Sequence, residues 1–355
     1  MWRCTVTSLA ITVVLVGMAV CQMPDSRGLG DETSVSNTDL PIVSEDADSD
    51  ANSSSDIPRS SGKTLGGMQF WGDVVYFRGY RIQHNVVFGK YRLLDEDNRR
   101  FGSGTREECE TALAKIRRAK NLKPDAGHAV IYLHGIGRTS RSMAPIVKGM
   151  PNDGYVHVLF EYPSTRVPIE KCSEYLHSVV ESLTDVSEIS FVTHSMGGLV
   201  VRRYLRDHAD PRLRQLVMLG TPNSGSEMAD MLRSNFVFKA VLGPAGQELV
   251  TDPQGTIKSL PTPTIPFGVI AGGAGNEKGY NPLLPGDDDG TVTVASARLP
   301  GAVDFLRVPR LHAFLMSDET AIAAVRHFIE HGRFSAERDP EPIPAGKPND
   351  QSPPK

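Results

Sequence analysis

A strand-like run, Ile189-Ser190-Phe191-Val192, passes directly into Thr193-His194-Ser195-Met196-Gly197-Gly198. Leu199, Val200, Tyr204 and Leu205 then follow at helical spacing. Only a sharp turn joins a strand to a helix in so few residues, with small residues where the helix closes on the strand. Such a turn pushes the serine side chain out of the backbone. The start of the helix leaves free N–H groups and a positive dipole end beside the hydroxyl. Serine is a weak nucleophile at neutral pH, so this setting has a chemical use only with a base nearby. The usual form of the turn has glycine two residues before the serine, and Thr193 stands there. The plain alternative is a Ser/Gly turn that caps an ordinary helix.

The flanking pattern alternates. Strands are expected at 129–133, 155–160, 189–192, 215–219, 267–271 and 305–308. Helices are expected at 142–150, 169–183, 199–206 and 320–330. This order predicts an α/β fold with a mainly parallel sheet and helices on both faces. Short apolar strands without alternation, such as Val130-Ile131-Tyr132-Leu133, suit a sheet covered on both sides. Ahead of it, 69–76, 80–83 and 86–94 read as N-terminal antiparallel strands. They are expected to form the first strands of the sheet. A helix follows, with Thr105 and Glu108 in a capping-box pattern and Cys109, Ala112, Leu113 and Ile116 on one face.

Three further features complete a site around Ser195. His134-Gly135-Ile136-Gly137-Arg138 follows a strand, and its glycines let the backbone approach a substrate. An acyl-transfer site needs two donors aimed at the developing oxyanion, and the amides of Ile136 and Met196 are the candidates. The His134 side chain is expected to hold the loop. Pro285-Gly286-Asp287-Asp288-Asp289-Gly290-Thr291-Val292 supplies a carboxylate to orient a histidine. Asp289 is the first choice and Asp287 the second; a solvated acidic turn or a calcium site is the alternative. His312 follows the last strand, where a base with a near-neutral pKa is needed. The order Ser195, Asp289, His312 differs from the two main serine-protease orders.

The whole chain is not one polymer. Met1 to Cys21 has a single positive side chain, Arg3, and an apolar core from Leu9 to Val20, which reads as a signal peptide or lipoprotein leader. Cys21 keeps lipid attachment open, and with it membrane association through the N-terminus. Residues 22–63 carry nine acidic and three basic side chains, a net of −6 in a chain whose total is −4. That segment is expected to be a disordered tether, and the slightly positive remainder to fold. The body is expected at 64–335, with a disordered tail of six prolines at 336–355. An exported protein is expected, in which Cys109 and Cys172 could pair. Near-neutral charge and the lack of a basic stripe argue against nucleic acid as a partner. Arg117, Arg118 and Lys120 read as complements to a helix end. His327 and His331, four apart, read as a surface pair rather than a zinc site.

On LHGIGR at 133–138, THSMGG at 193–198, LGTPNSGS at 219–226, DDDGTV at 287–292 and His312, the chain resembles α/β-hydrolase serine lipases and esterases. The likeness is strongest to triacylglycerol lipases and to GPI inositol-deacylase-like lipases, some of which also carry Thr before His-Ser. The resemblance implies hydrolysis of a small-molecule or lipid ester, with no cofactor and no metal. Amide hydrolysis or acyl transfer by the same triad, and a non-catalytic binding module, are the alternatives. Between Thr221 and Pro266, the apolar patch Phe236-Val237-Phe238 with Ala240-Val241-Leu242 is either a cap over the site or a packing helix.

Overall fold

The computed structural model describes residues 67–345, with Pro58, Ser60 and Gly62. The expected leader, nearly all of the acidic tether and the last ten residues lie outside the described residues. No helix among the described residues is long and apolar enough to cross a membrane.

Six strands build the central sheet: β5 (Gly127–Leu133), β6 (Tyr155–Phe160), β7 (Val186–His194), β8 (Leu213–Leu219), β9 (Phe267–Gly272) and β10 (Asp304–Val308). All pair in parallel, in the order β10-β9-β8-β7-β5-β6. Both faces are covered, as an all-parallel sheet requires. Alternate residues of each strand enter different cores. Ala129, Ile131 and Leu133 pack with Phe191, Leu216 and Met218 on one face. Val130 and Tyr132 pack with Val192, Val217 and Leu219 on the other. This is the layered α/β arrangement expected from the alternating pattern.

The first face carries α3 (Ile169–Ser182) and α4 (Met196–Asp207), through Cys172, Leu176, Val179, Leu199 and Val200. The second carries the short α2 (Ala144–Gly149) and α9 (Glu319–His331), through Ile146, Val325 and Phe328. Between β8 and β9 lie α5 (Glu227–Leu232), α6 (Phe236–Gln247) and α7 (Thr256–Ser259). The short α8 (Val294–Ala297) precedes β10.

The N-terminal strands are antiparallel, as expected, but they do not begin the central sheet. β1 (Trp71–Phe77), β2 (Tyr80–Asn85), β3 (Tyr91–Leu94) and β4 (Arg100–Gly104) form a sheet of their own. It lies against α3, where Gly72 meets the Tyr175 ring so closely that a Cβ would fall 2.7 Å from it. The helix α1 (Arg106–Ala119) starts with the expected capping box. Thr105 Oγ1 accepts from Glu108 N at 3.2 Å, and Glu108 Oε2 accepts from Thr105 N at 2.8 Å. Arg117 lies over the Phe77 ring and Lys120 donates to the Tyr80 hydroxyl. Cys109 and Cys172 are both buried and unpaired, so no disulfide joins them. Burial pushes the Cys109 thiol up to about 11 and raises that of Cys172 further.

Contacts with the body continue past Ser335. The buried Asp304 carboxylate accepts from Phe334 N at 2.8 Å, from Arg338 Nη2 at 2.9 Å and from Glu341 N at 2.9 Å. Ile343 bonds through its backbone to Gly301 and Ala302, both at 2.9 Å. Residues 336–345, expected in a disordered tail, are therefore tied to the start of β10 and the turn before it. Ending the chain after Ser335 strips Asp304 of two of its partners, Arg338 and Glu341. Taking ~2 kcal/mol for that loss, the melting temperature should fall by about 5 °C relative to a chain ending at Ala345. Equal melting curves would mean that these contacts contribute nothing.

Candidate active site

The candidate residues gather at the carboxyl ends of the parallel strands, where open α/β sheets bind ligands. Ser195 sits between β7 and α4 with φ 53° and ψ −127°. A non-glycine residue rarely adopts that conformation, and holding it there costs roughly 1–3 kcal/mol. The strain is contained by bonds on every side. Ser195 N donates to Leu219 O at 2.8 Å, and Ser195 O accepts from Gly198 N at 3.1 Å and from Thr221 Oγ1 at 3.0 Å. Thr193, the departure from the usual turn, is buried in β7 with its hydroxyl donating to Val217 O at 3.1 Å. A side chain at that position is thus accommodated by the neighbouring strand.

The glycines mark where α4 presses on β5. A Cβ on Gly197 would lie 2.8 Å from Leu133 O, and one on Gly198 would lie 2.2 Å from Thr221 Oγ1. The loop after β5 comes equally close. A Cβ on Gly135 would sit 3.1 Å from Ser195 Cβ and 2.9 Å from His194 Nδ1.

His312 and Ser195 line the same cavity, with Gly135, Ile136 and His194. His312 Nδ1 donates to Asp289 Oδ2 at 2.7 Å, and both residues are buried. The Asp289 carboxylate is fixed in turn by the amides of Thr291 at 3.0 Å and Val292 at 2.7 Å. His312 N also donates to Asp289 O at 2.8 Å, so the two residues are tied twice. With Nδ1 committed, Nε2 is the ring nitrogen left for a proton transfer.

Asp287, the second choice, points elsewhere: it accepts from Gly275 N at 3.1 Å and lies 3.9 Å from Arg307 Nε. Asp288 accepts from Asn281 N at 3.0 Å and Gly290 N at 2.6 Å. The three neighbouring carboxylates therefore do not converge on one point. No group of three or more His, Cys, Asp or Glu among the described residues is arranged to hold a metal ion. His327 and His331 lie at the end of α9 with ring centroids 4.5 Å apart.

The amides of Ile136 and Met196 belong to the loop after β5 and to the first residue of α4. A first-turn amide has no partner within its own helix. His134 does hold its loop, donating from Nδ1 to Gly135 O at 2.8 Å. The cavity has a volume of about 110 Å³, and much of its lining is apolar: Met228, Ala229, Phe238, Leu242, Leu249 and Val292. α6 thus supplies two of the wall residues, while Phe236 at its start is 82% exposed.

Two neighbours were not singled out by sequence. Thr221 anchors the Ser195 carbonyl. His194 is wholly buried, its ring centroid 4.6 Å from that of His312, and its Nε2 donates to His312 O at 3.1 Å. Burial, then the nearby His312, holds its pKa well below the usual value, so it stays neutral. It sits inside the motif, next to the serine, but nothing in sequence places it against a residue 118 positions away.

No protein-family model matches the chain, and no curated protein sequence matches it. Solved structures give weak likenesses. One is the mature lipase BlEst2 of Bacillus licheniformis: 21% identity, 59% of this chain and 93% of that one covered, TM-score 0.45. Another is a metagenomic carboxyl esterase, MGS0156: 19% identity, 53% and 65% covered, TM-score 0.40. A third is the phospholipase PlaB of Legionella pneumophila: 18% identity, 48% and 45% covered, TM-score 0.39. At such identities and TM-scores the chemistry must be read from the site itself.

The contact between Gly198 and Thr221 is open to a direct check. Gly198→Ala should destabilise the fold by about 1–3 kcal/mol through overpacking. In a Thr221→Ala background, which removes the two nearest atoms, the same change should cost much less. Denaturant midpoints of the four proteins measure that coupling, and additive effects would mean that the helix and strand can part without strain.

Proposed function

We propose that the chain is a serine hydrolase of carboxylic esters, with Ser195 as nucleophile, His312 as base and Asp289 as the acid that orients it. One observation carries this reading: a serine held in a strained turn opens onto the same apolar cavity as a histidine whose other ring nitrogen is bonded to a buried carboxylate.

The chemistry follows from those positions. His312 Nε2 takes the Ser195 proton as Oγ attacks the ester carbonyl. The amides of Ile136 and Met196 stabilise the oxyanion, aided by the start of α4. The tetrahedral adduct collapses and the alcohol leaves with the proton from His312. Water, activated by His312, then cleaves the acyl-enzyme. Asp289 stays ionised throughout and steadies the imidazolium. The neutral His194 beside His312 adds no competing positive charge. Export by way of the leader belongs to the same proposal.

Ser195→Ala should abolish hydrolysis of aryl esters and labelling by a fluorophosphonate, with an unchanged melting curve. Asp289→Asn should lower turnover by roughly 10⁴-fold. Full activity in the serine variant would overturn the assignment. Matched amide substrates and an added alcohol acceptor separate ester hydrolysis from amidase and acyltransferase activity.

The cavity also bears on the acyl group. About 110 Å³ is less than the ~150 Å³ of an engineered apolar cavity that accepts benzene. The part of the cavity walled by Phe238 and Leu242 therefore suits a short acyl chain. Across aryl esters from acetyl to dodecanoyl, kcat/KM should peak at the short end, and Phe238→Ala should move the peak to longer chains. A wild-type peak at dodecanoyl would refute this limit.

A further inference from the structure

A second buried polar cluster lies behind the loop that follows β5, and the mechanism above makes no use of it. Its centre is Glu161, the residue after β6, which is fully buried. Glu161 Oε2 accepts from both Ser140 N and Ser140 Oγ at 2.9 Å. Its Oε1 lies 3.4 Å from His134 Nε2, within ion-pair range, and neither atom has a hydrogen-bond partner among the described residues. His134 and Ser140 are the two ends of one loop, and Ile136 lies between them. The His134 ring is stacked on Tyr162, at 4.3 Å between centroids, and the Tyr162 hydroxyl donates to His134 O.

The cluster continues into the N-terminal sheet. Glu161 N donates to Asp73 Oδ2 at 2.8 Å, and Asp73 N donates to Glu161 O at 2.9 Å. Asp73 Oδ1 accepts from Gln83 Nε2 at 2.7 Å, and Gln83 Oε1 accepts from Arg92 Nε at 2.9 Å. The Arg92 guanidinium is itself held over the Trp71 ring at 3.9 Å. Each of β1, β2 and β3 thus contributes one link.

Such a cluster is costly. Burial, with a smaller push from the Glu161 charge, raises the Asp73 carboxyl to about 6, against the opposing pull of Arg81. A well-packed apolar set in the same place would often be more stable. The protons also fix a direction. Gly135 O can only accept, so His134 Nδ1 carries a hydrogen and Nε2 meets the carboxyl.

We propose that Glu161 is a positioning residue for the oxyanion site: it clamps both ends of the 134–140 loop, so that the Ile136 amide is held at the height where charge develops on the substrate. The N-terminal sheet is then part of the catalytic apparatus, reaching it through Asp73. This rests on the esterase reading for its effect on rate, but the clamp itself is a property of the free protein.

The test uses the full chain with three measurements. Glu161→Met keeps the length and most of the volume but removes both the acceptor for Ser140 and the group facing His134. With an aryl acetate, kcat should fall roughly 100-fold with KM within a factor of two, as for a slightly misplaced catalytic group. A phenylboronic acid, which forms a tetrahedral adduct on the serine, should bind more weakly by a similar factor. Hydrogen exchange over residues 134–140 in the free protein should accelerate. Wild-type exchange and boronate affinity in a variant that merely melts earlier would overturn the clamp. If Glu161→Met does not fold, Ser140→Ala removes one hydroxyl, and kcat should fall roughly fivefold at constant KM, the worth of one ordinary hydrogen bond. An unchanged kcat there, with unchanged loop exchange, also overturns it. An inactive wild type that fluorophosphonate does not label would sink the esterase reading instead, while the exchange measurement still decides the clamp.

Discussion

The packing of α4 against β5 and β8 is the constraint on which the site depends. Gly197 and Gly198 have no room for a Cβ, because Leu133 O and Thr221 Oγ1 already occupy that space. With the helix held this close, the chain must turn from β7 into α4 within a single residue, and that residue takes φ 53°. The cost falls on Ser195 and is met by the bonds to its own backbone from Leu219, Gly198 and Thr221. A looser helix would relax the turn and withdraw both the hydroxyl and the Met196 amide. On the proposed mechanism, stability and reactivity are therefore coupled here through a few ångströms of backbone contact.

The same closeness recurs at the ends of the neighbouring strands. A Cβ on Gly220 would lie 3.0 Å from His312 Nδ1, and one on Gly272 would lie 2.7 Å from Asp289 Cβ. The carboxyl ends of β7, β8 and β9 thus form a floor on which the acid and the histidine rest. The loops that carry Asp289 and His312 are irregular, but they are not loose. Each is bonded to the other through side chain and backbone. Histidine orientation comes from this floor and from the neutral His194 beneath it, rather than from any one helix or strand.

Much of this was legible because the responsible signals are local. The capping box at Thr105 and Glu108 depends on residues three apart, and it forms as the pattern predicts. The parallel strands are apolar runs bounded by glycine or charge, so their existence was clear and their ends uncertain by a few residues. β4 was missed because Arg100-Phe101-Gly102-Ser103-Gly104 has neither alternation nor β-branched residues. Its pairing comes from β3, not from its own composition. The split into two sheets and the continuation to Ala345 were hidden for the same reason. Proline-rich sequence does not pack by itself, but Ile343 finds the backbone of Gly301 and Ala302 just before β10, and Arg338 finds the buried Asp304. Cysteine count likewise says nothing of distance, and Cys109 and Cys172 serve as buried apolar groups in different helices.

Glu161 shows the limit of motif reading most clearly. In sequence it is one acidic residue after a strand, next to Tyr162 and Pro163. Nothing there separates it from a solvated carboxylate. Its meaning comes from three-dimensional convergence: a strand end, a loop with glycines on both sides of Ile136, and a sheet whose Asp73 lies 88 residues upstream. A loop containing Gly135 and Gly137 gains freedom to approach a substrate and loses the rigidity that an oxyanion donor needs. Rigidity has to be supplied from outside the loop. Apolar packing can supply stability there, but it cannot set the direction of an amide. A carboxylate that takes two hydrogen bonds from Ser140 and faces His134 can, because hydrogen bonds fix angle as well as distance. The polar cluster is thus the counterpart of the glycines, and the two features are best understood as one device.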